Sequence, residues 1–305
     1  MDLTIVGEVA AIGTSCLWTL NSIFFSEAGK RIGSTSVNAF RILFALGFLG
    51  AAHVVLIGEL LPTASWGQWF WVGMSGIVGL GVGDFGLFAA FVTIGPRRTL
   101  LVMALSPIFA ALGAYLLLGE IIPLPALTGI GLTLAGVFVA VVERDELSME
   151  KPIPTRLKIW GIILALVGAI GQGLGLVLAK KGILLDPSLT LNPLSTTLIR
   201  MICGTVFVWM TIVIARRLPE LRKASQNHEG IMYSAAGAFT GPFLGVTLSM
   251  VAVTFTQAGI AQTLISLMPI LIIPVVWILY KQKTSLRGIL GAFVATIGVA
   301  VLLLV

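Results

Sequence analysis

Ten apolar runs of membrane-spanning length, separated by short polar connections, leave this chain few folds to choose from. A helix that crosses the hydrocarbon core needs about 20 largely apolar residues. The runs cover approximately 5–27, 36–57, 68–92, 98–118, 123–142, 157–179, 194–215, 231–256, 259–280 and 285–305. They predict an all-α integral membrane protein of ten transmembrane helices. Of 305 residues only 10% are charged, against roughly 25% in soluble globular domains, so a water-soluble fold is excluded. The polar stretch "ERDELSMEKPIPTR" separates five runs from five. It predicts a first five-helix repeat over 1–142, a linker over 143–156 and a second repeat over 157–305.

The two halves resemble each other. At an offset of 162, "ALSPIFAALGAYLLLG" falls on "SLMPILIIPVVWILYK", Pro107 on Pro269, Gly129 on Gly291 and Gly136 on Gly298. Near the start of each half, "NAFR" matches "TLIR" and aligns Arg41 with Arg200. Five crossings are an odd number, so the second copy enters the membrane upside down. Inverted repeats recur in secondary transporters, with the substrate site near the midplane between them. Connections 1–2, 3–4, 5–6, 7–8 and 9–10 carry fifteen Lys and Arg residues, and the opposite side holds only Lys180 and Lys181. The positive-inside rule puts the rich side in the cytoplasm. A bacterial inner (plasma) membrane is therefore the expected location, with both termini extracytoplasmic. The net charge of +6 reflects these loops and not a basic face, so nucleic acid is not an expected partner.

The chain resembles the drug/metabolite transporter superfamily, specifically its EamA-type ten-helix carriers. The resemblance rests on "SCLWTLNSIFF", "VNAFRILFA", "ALSPIFAALGAYLLLGE" and "LTGIGLTLAGV" in the first half, together with the repeated second half. It departs where "YKQK" stands in place of a second Gly-Glu, and in the terminus orientation, since such carriers are often drawn with cytoplasmic termini. The resemblance implies export or exchange of small polar metabolites, such as amino acids, without ATP hydrolysis. Consistently, no P-loop "GxxxxGK[ST]" occurs in the sequence.

Ionisable residues inside apolar spans are costly and face a bundle interior or a wet cavity. Asp84, in "GLGVGDFGLFAAF", lies roughly 12 Å inside the third span, and Arg41 roughly 8 Å inside the second from the same side. The two are expected to pair, either as a lock between helices or as a breakable gate. Val246 stands where the second repeat would carry a matching acid. Arg200, which inversion places toward the opposite surface, is expected to snorkel to that interface or to bind an anionic group. Trp18 and Asn21 share a helix face; with Gln172 at the corresponding place in the sixth span, they suit a cavity for a partly polar solute. Gln262 is a further candidate for the cavity wall. Pro107 and Pro269, each in mid-span, are expected to kink their helices as paired hinges. Trp66, Trp69 and Trp71 suit an interfacial belt. The small-residue faces of the fifth and tenth spans suit helix packing or a homodimer contact.

Cys16 and Cys203 lie apart within apolar spans, and His53 and His228 are widely separated. No metal or cofactor is expected. The expected partners are the lipid bilayer and a small-molecule substrate. Two other functions compete with a carrier. A membrane-embedded lipid-modifying enzyme would need clustered acids, His or Ser at a surface, and the acids of 143–156 show no such spacing. A non-transporting receptor or scaffold would leave the inverted repeat without a purpose.

Overall fold

Glycine and proline punctuate the apolar runs more than their length suggests, and the helices follow that punctuation. The computed structural model describes residues 3–146, 154–268, 270–271 and 286–304. Pro269, residues 147–153 of the linker and the stretch "YKQK" lie outside them. No strand occurs among the described residues. Seven helices are long and apolar enough to cross a membrane, and Ser106–Leu118 and Leu124–Val139 are shorter apolar helices. The C-terminal part of the expected ninth span is outside the described residues.

Helices α1 (Leu3–Ile32) and α2 (Ser34–Ile57) are joined by one residue, Gly33, at φ 76°. A left-handed link of this kind suits a residue without a Cβ. The helical stretch that follows is α3 (Trp66–Gly76), a π-helical segment over Ile77–Gly83, and α4 (Asp84–Met103). The chain then forms α5 (Ser106–Leu118), α6 (Leu124–Glu146), α7 (Thr155–Leu184), α8 (Pro193–Ile214) and the short surface helix α9 (Leu218–Ala224). It continues as α10 (His228–Ala238), a second π-helical segment over Phe239–Gly245, α11 (Val246–Phe255), α12 (Ala258–Ile265) and α13 (Leu286–Leu303).

The expected third span falls within Trp66–Ile94, whereas the expected fourth is divided at Ala104–Leu105 and leaves Ser106–Leu118 as a shorter apolar helix; no extended loop separates the two. Ile94 packs on Gly161 and Leu87 on Gly168, so the start of α4 runs antiparallel to α7. Met103 packs on Gly168, Ser106 on Gly173 and Val177 on Gly113, so α5 runs parallel to α7. The chain therefore reverses between Ile94 and Met103 while remaining helical. The expected mid-helix kink at Pro107 is corrected. The helix is broken at Ala104–Leu105, and Pro107 stands in the first turn of α5, where a missing N–H has no helical partner to lose.

The halves interlock. The α1 helix packs antiparallel on α10–α11, with Gly7 at Thr256, Trp18 at Gly245 and Asn21 at Gly241. The α7 helix packs in the same way on α3–α4, with Gly171 at Gly83 and Gly175 at Gly79. Each half thus sends its first helix against the third span of the other. The equivalent helices α6 and α13 pack against each other: Gly129 meets Gly298, and Gly136 meets Gly291 and Ala295. That pairing is antiparallel, the direction an inverted copy requires. It also uses the small-residue faces within one chain, through the close backbone approach such faces permit.

Candidate functional site

Two π-helical segments hold the centre of the molecule open. In the first, the amide of Asp84 donates to the carbonyl of Gly79, five residues back. In the second, the amide of Val246 donates to the carbonyl of Gly241. The segments Ile77–Gly83 and Phe239–Gly245 are separated by the offset of 162 that relates the repeats. Pro242 lies inside the second, where its lack of an N–H is compatible with the widened turn. Such segments are rare and recur at functional sites. The helix breaks obey the same offset: Ala104–Leu105 matches Ser266–Leu267. At each break the second residue's amide turns to the carbonyl three residues back, Leu105 to Val102 and Leu267 to Leu264.

Between these features lies a cavity of ≈ 540 Å³. All seven sequence-predicted site residues line it: Trp18, Asn21, Arg41, Asp84, Gln172, Arg200 and Gln262. Arg41 Nη2 donates to Asp84 Oδ2, the pairing expected from depth. Asp84 Oδ1 accepts from Gln172 Nε2 at 2.7 Å, so both carboxylate oxygens are engaged. Arg41 Nε and Nη2 also donate to Asn38 Oδ1, at 2.9 and 2.7 Å. Its guanidinium sits 5.0 Å from the ring centre of Phe88, a cation–π contact. Asn38 and Phe88 were not predicted, although the "NAFR" spacing puts Asn38 one turn from Arg41.

Arg200 departs from expectation. It does not snorkel to a surface: it is 4% exposed, and its backbone carbonyl abuts Gly76, within the Trp66–Ile94 helix. Its Nη1 donates to Met250 Sδ at 3.2 Å, and its Nε has no hydrogen-bond partner among the described residues. Gln262 is buried and donates through Nε2 to Ser106 Oγ at 3.0 Å, tying α12 to the first residue of α5. Asn21 Oδ1 is a buried acceptor without a partner among the described residues. Pro107 does not line the cavity.

Ser26, Gly29 and Ser34 carry the cavity wall to the α1–α2 turn. At the other end of α1, Lys180 Nζ lies 2.5 Å from Glu120 Oε1 and donates to the Thr256 carbonyl at 2.6 Å. Glu120 Oε2 accepts from the Ala258 amide at 2.9 Å. Ala258 is four residues, or roughly 6 Å, before the cavity-lining Gln262. This network joins the ends of α5 and α7 to the α11–α12 turn. Its Lys180 and Thr256 line a separate cavity of ≈ 320 Å³. Its two charges lie near span ends, where charge is ordinarily solvated, so sequence alone did not pair them.

Among the described residues, no three His, Cys, Asp or Glu side chains are grouped to hold a metal ion. His53 contacts the Glu59 carbonyl and Ser195 Oγ away from the cavity.

A family model described as the EamA-like transporter family matches residues 5–142 and, a second time, 159–304. A solved structure, described only as the crystal structure of a protein, is similar with a TM-score of 0.74 at 16% identity; the match covers 98% of this chain and 96% of that one. At that identity the likeness concerns the fold. Comparison with curated proteins returned no match.

Proposed function

The chain belongs to the EamA-like transporter family, and from that premise we propose that it is a secondary carrier of small polar metabolites, working by alternating access. The single observation that carries this is the ≈ 540 Å³ cavity between the two interlocked halves, lined from both. Its size is that of a small-molecule site. Ten crossings, inverted between the halves, give the cavity two routes of access related by the pseudo-symmetry of the repeat. The paired breaks at Ala104–Leu105 and Ser266–Leu267 are where each half bends as access changes, with Pro107 in the first turn of the helix that follows the first break. By the charge count the α1–α2 end is cytoplasmic, so the cavity loads from inside and the carrier works as an exporter or exchanger.

The test is transport by the purified chain in liposomes, using labelled amino acids, hydroxy acids, nucleosides and sugars, with and without a pH gradient. Uptake of at least one class that saturates and falls on Asp84→Asn supports a carrier. Absence of uptake for every class would sink it.

A further inference from the structure

The charges lining the cavity do not balance. Among the described lining residues the ionisable side chains are Arg41, Arg200 and Asp84. Asp84 is already matched by Arg41, and its second oxygen is taken by Gln172. Arg200 remains, with one soft contact to Met250 Sδ and an unpartnered Nε. Arginine stays protonated in proteins, and an isolated buried ion costs several kcal/mol unless it is paired and hydrogen-bonded. The protein therefore holds a fixed, unmatched positive charge at its centre.

The rest of the wall narrows what can match that charge. Trp18, Phe25, Phe88 and Phe91 contribute aromatic faces, and Leu176 and Ile265 aliphatic ones. Asn21 Oδ1 offers a buried acceptor that nothing described satisfies. No second carboxylate among the described lining residues is available to receive an ammonium group.

We propose that the cavity binds a singly charged organic anion with an apolar, aromatic-sized body and a neutral hydrogen-bond donor, its carboxylate seated on Arg200. This rests on the carrier function above and narrows the substrate from polar metabolites in general to anions. A zwitterionic amino acid brings no net charge and leaves the site cationic; a hydroxy acid of the same shape neutralises it.

The experiment uses three near-isosteric probes: 3-phenyllactate, 3-phenyllactamide and phenylalanine. Binding is read from the melting temperature and intrinsic tryptophan fluorescence of the purified full chain in detergent, and transport is read separately in liposomes. The expected result is that phenyllactate binds about tenfold or more tightly than either other probe, the size of one charge-assisted contact. Arg200→Gln loses that preference, and Arg200→Lys keeps most of it. If Arg200→Gln does not fold, the wild-type comparison of anion with amide and the Arg200→Lys variant decide the matter. Equal binding of all three probes, binding of none, or an unchanged preference in a folded Arg200→Gln overturns the proposal. Arg200-dependent binding without any transport upholds the anion site and overturns the carrier function instead.

Discussion

Asp84 has both carboxylate oxygens engaged, Oδ2 by Arg41 and Oδ1 by Gln172, so a proton or solute that reaches it competes with these two donors. Asp84→Asn leaves the Arg41 guanidinium buried without its anion, a loss of about 3–5 kcal/mol of stability where one partner of a buried pair is removed. Adding Arg41→Gln removes the orphaned cation and is expected to restore most of that loss, as measured by melting in detergent. Transport is expected to stay absent in the double variant. If it returns together with stability, the pair is only a lock between α2 and α4. This pair was legible in the sequence because an acid and an arginine at similar depth in apolar runs have few other partners. Arg200 was half legible: its burial follows from its span, but depth counted from helix ends sent it to the wrong surface. The structure sets it against Gly76, well inside the Trp66–Ile94 helix, where its side chain reaches the cavity.

At the scale of helices, close backbone approach decides which substitutions the fold tolerates. A Cβ on Gly171 would stand 2.5 Å from Gly83 Cα, and one on Gly76 2.1 Å from the Arg200 carbonyl oxygen. In both cases the obstacle is backbone, which cannot swing aside. Gly171→Ala is expected to push α7 off the first π-helical segment and cost about 1–3 kcal/mol, the range for overpacking; Gly50→Ala, with nothing within 4 Å, is the control. Equal melting temperatures for the two variants would show that the interface is slack. The Lys180–Glu120 network is a second element-scale device. Lys180→Met leaves the half-buried Glu120 without its cation and frees the Thr256 carbonyl, so this end should open more often if the network is a closure. A cysteine placed at Thr256 in a cysteine-free background is expected to label several-fold faster in Lys180→Met than with Lys180 intact, and unchanged labelling would mean the network is not the closure. Neither device was visible beforehand. The glycine-rich "IVGLGVG" reads equally as ordinary helix, and the π-helical winding shows only once α7 is seen to press against it. Similarly, Ala104–Leu105 contains no breaker residue, and Pro107 two residues later signals a helix start as readily as a kink.

For the whole molecule, symmetry and charge make separate statements. The π-helical segments and the helix breaks occur in both halves, and the equivalent helices α6 and α13 pair with each other; in the proposed carrier this symmetry is what lets an inverted repeat turn a site from one face to the other. The acids do not repeat: Val246 replaces Asp84, and Gln282 falls where a second Glu120 would stand. The two states of the proposed carrier would therefore differ in their ion pairs while sharing a scaffold. Orientation decides what the described state is. The basic connections lead us to expect the α1–α2 end in the cytoplasm; in the proposed carrier this state then faces inward, with the Lys180–Glu120 network on the outside. A reporter fused after Val305 is then expected to be extracytoplasmic and one inserted at Ser148 cytoplasmic, each measured by a fluorescence or enzyme tag active on only one side. The opposite result leaves the fold, the cavity and the Arg200 charge unchanged, since none depends on orientation. It would turn the described state outward and move the Lys180–Glu120 network to the cytoplasmic face, so that Lys180→Met would expose the position of Thr256 to reagents on the inside.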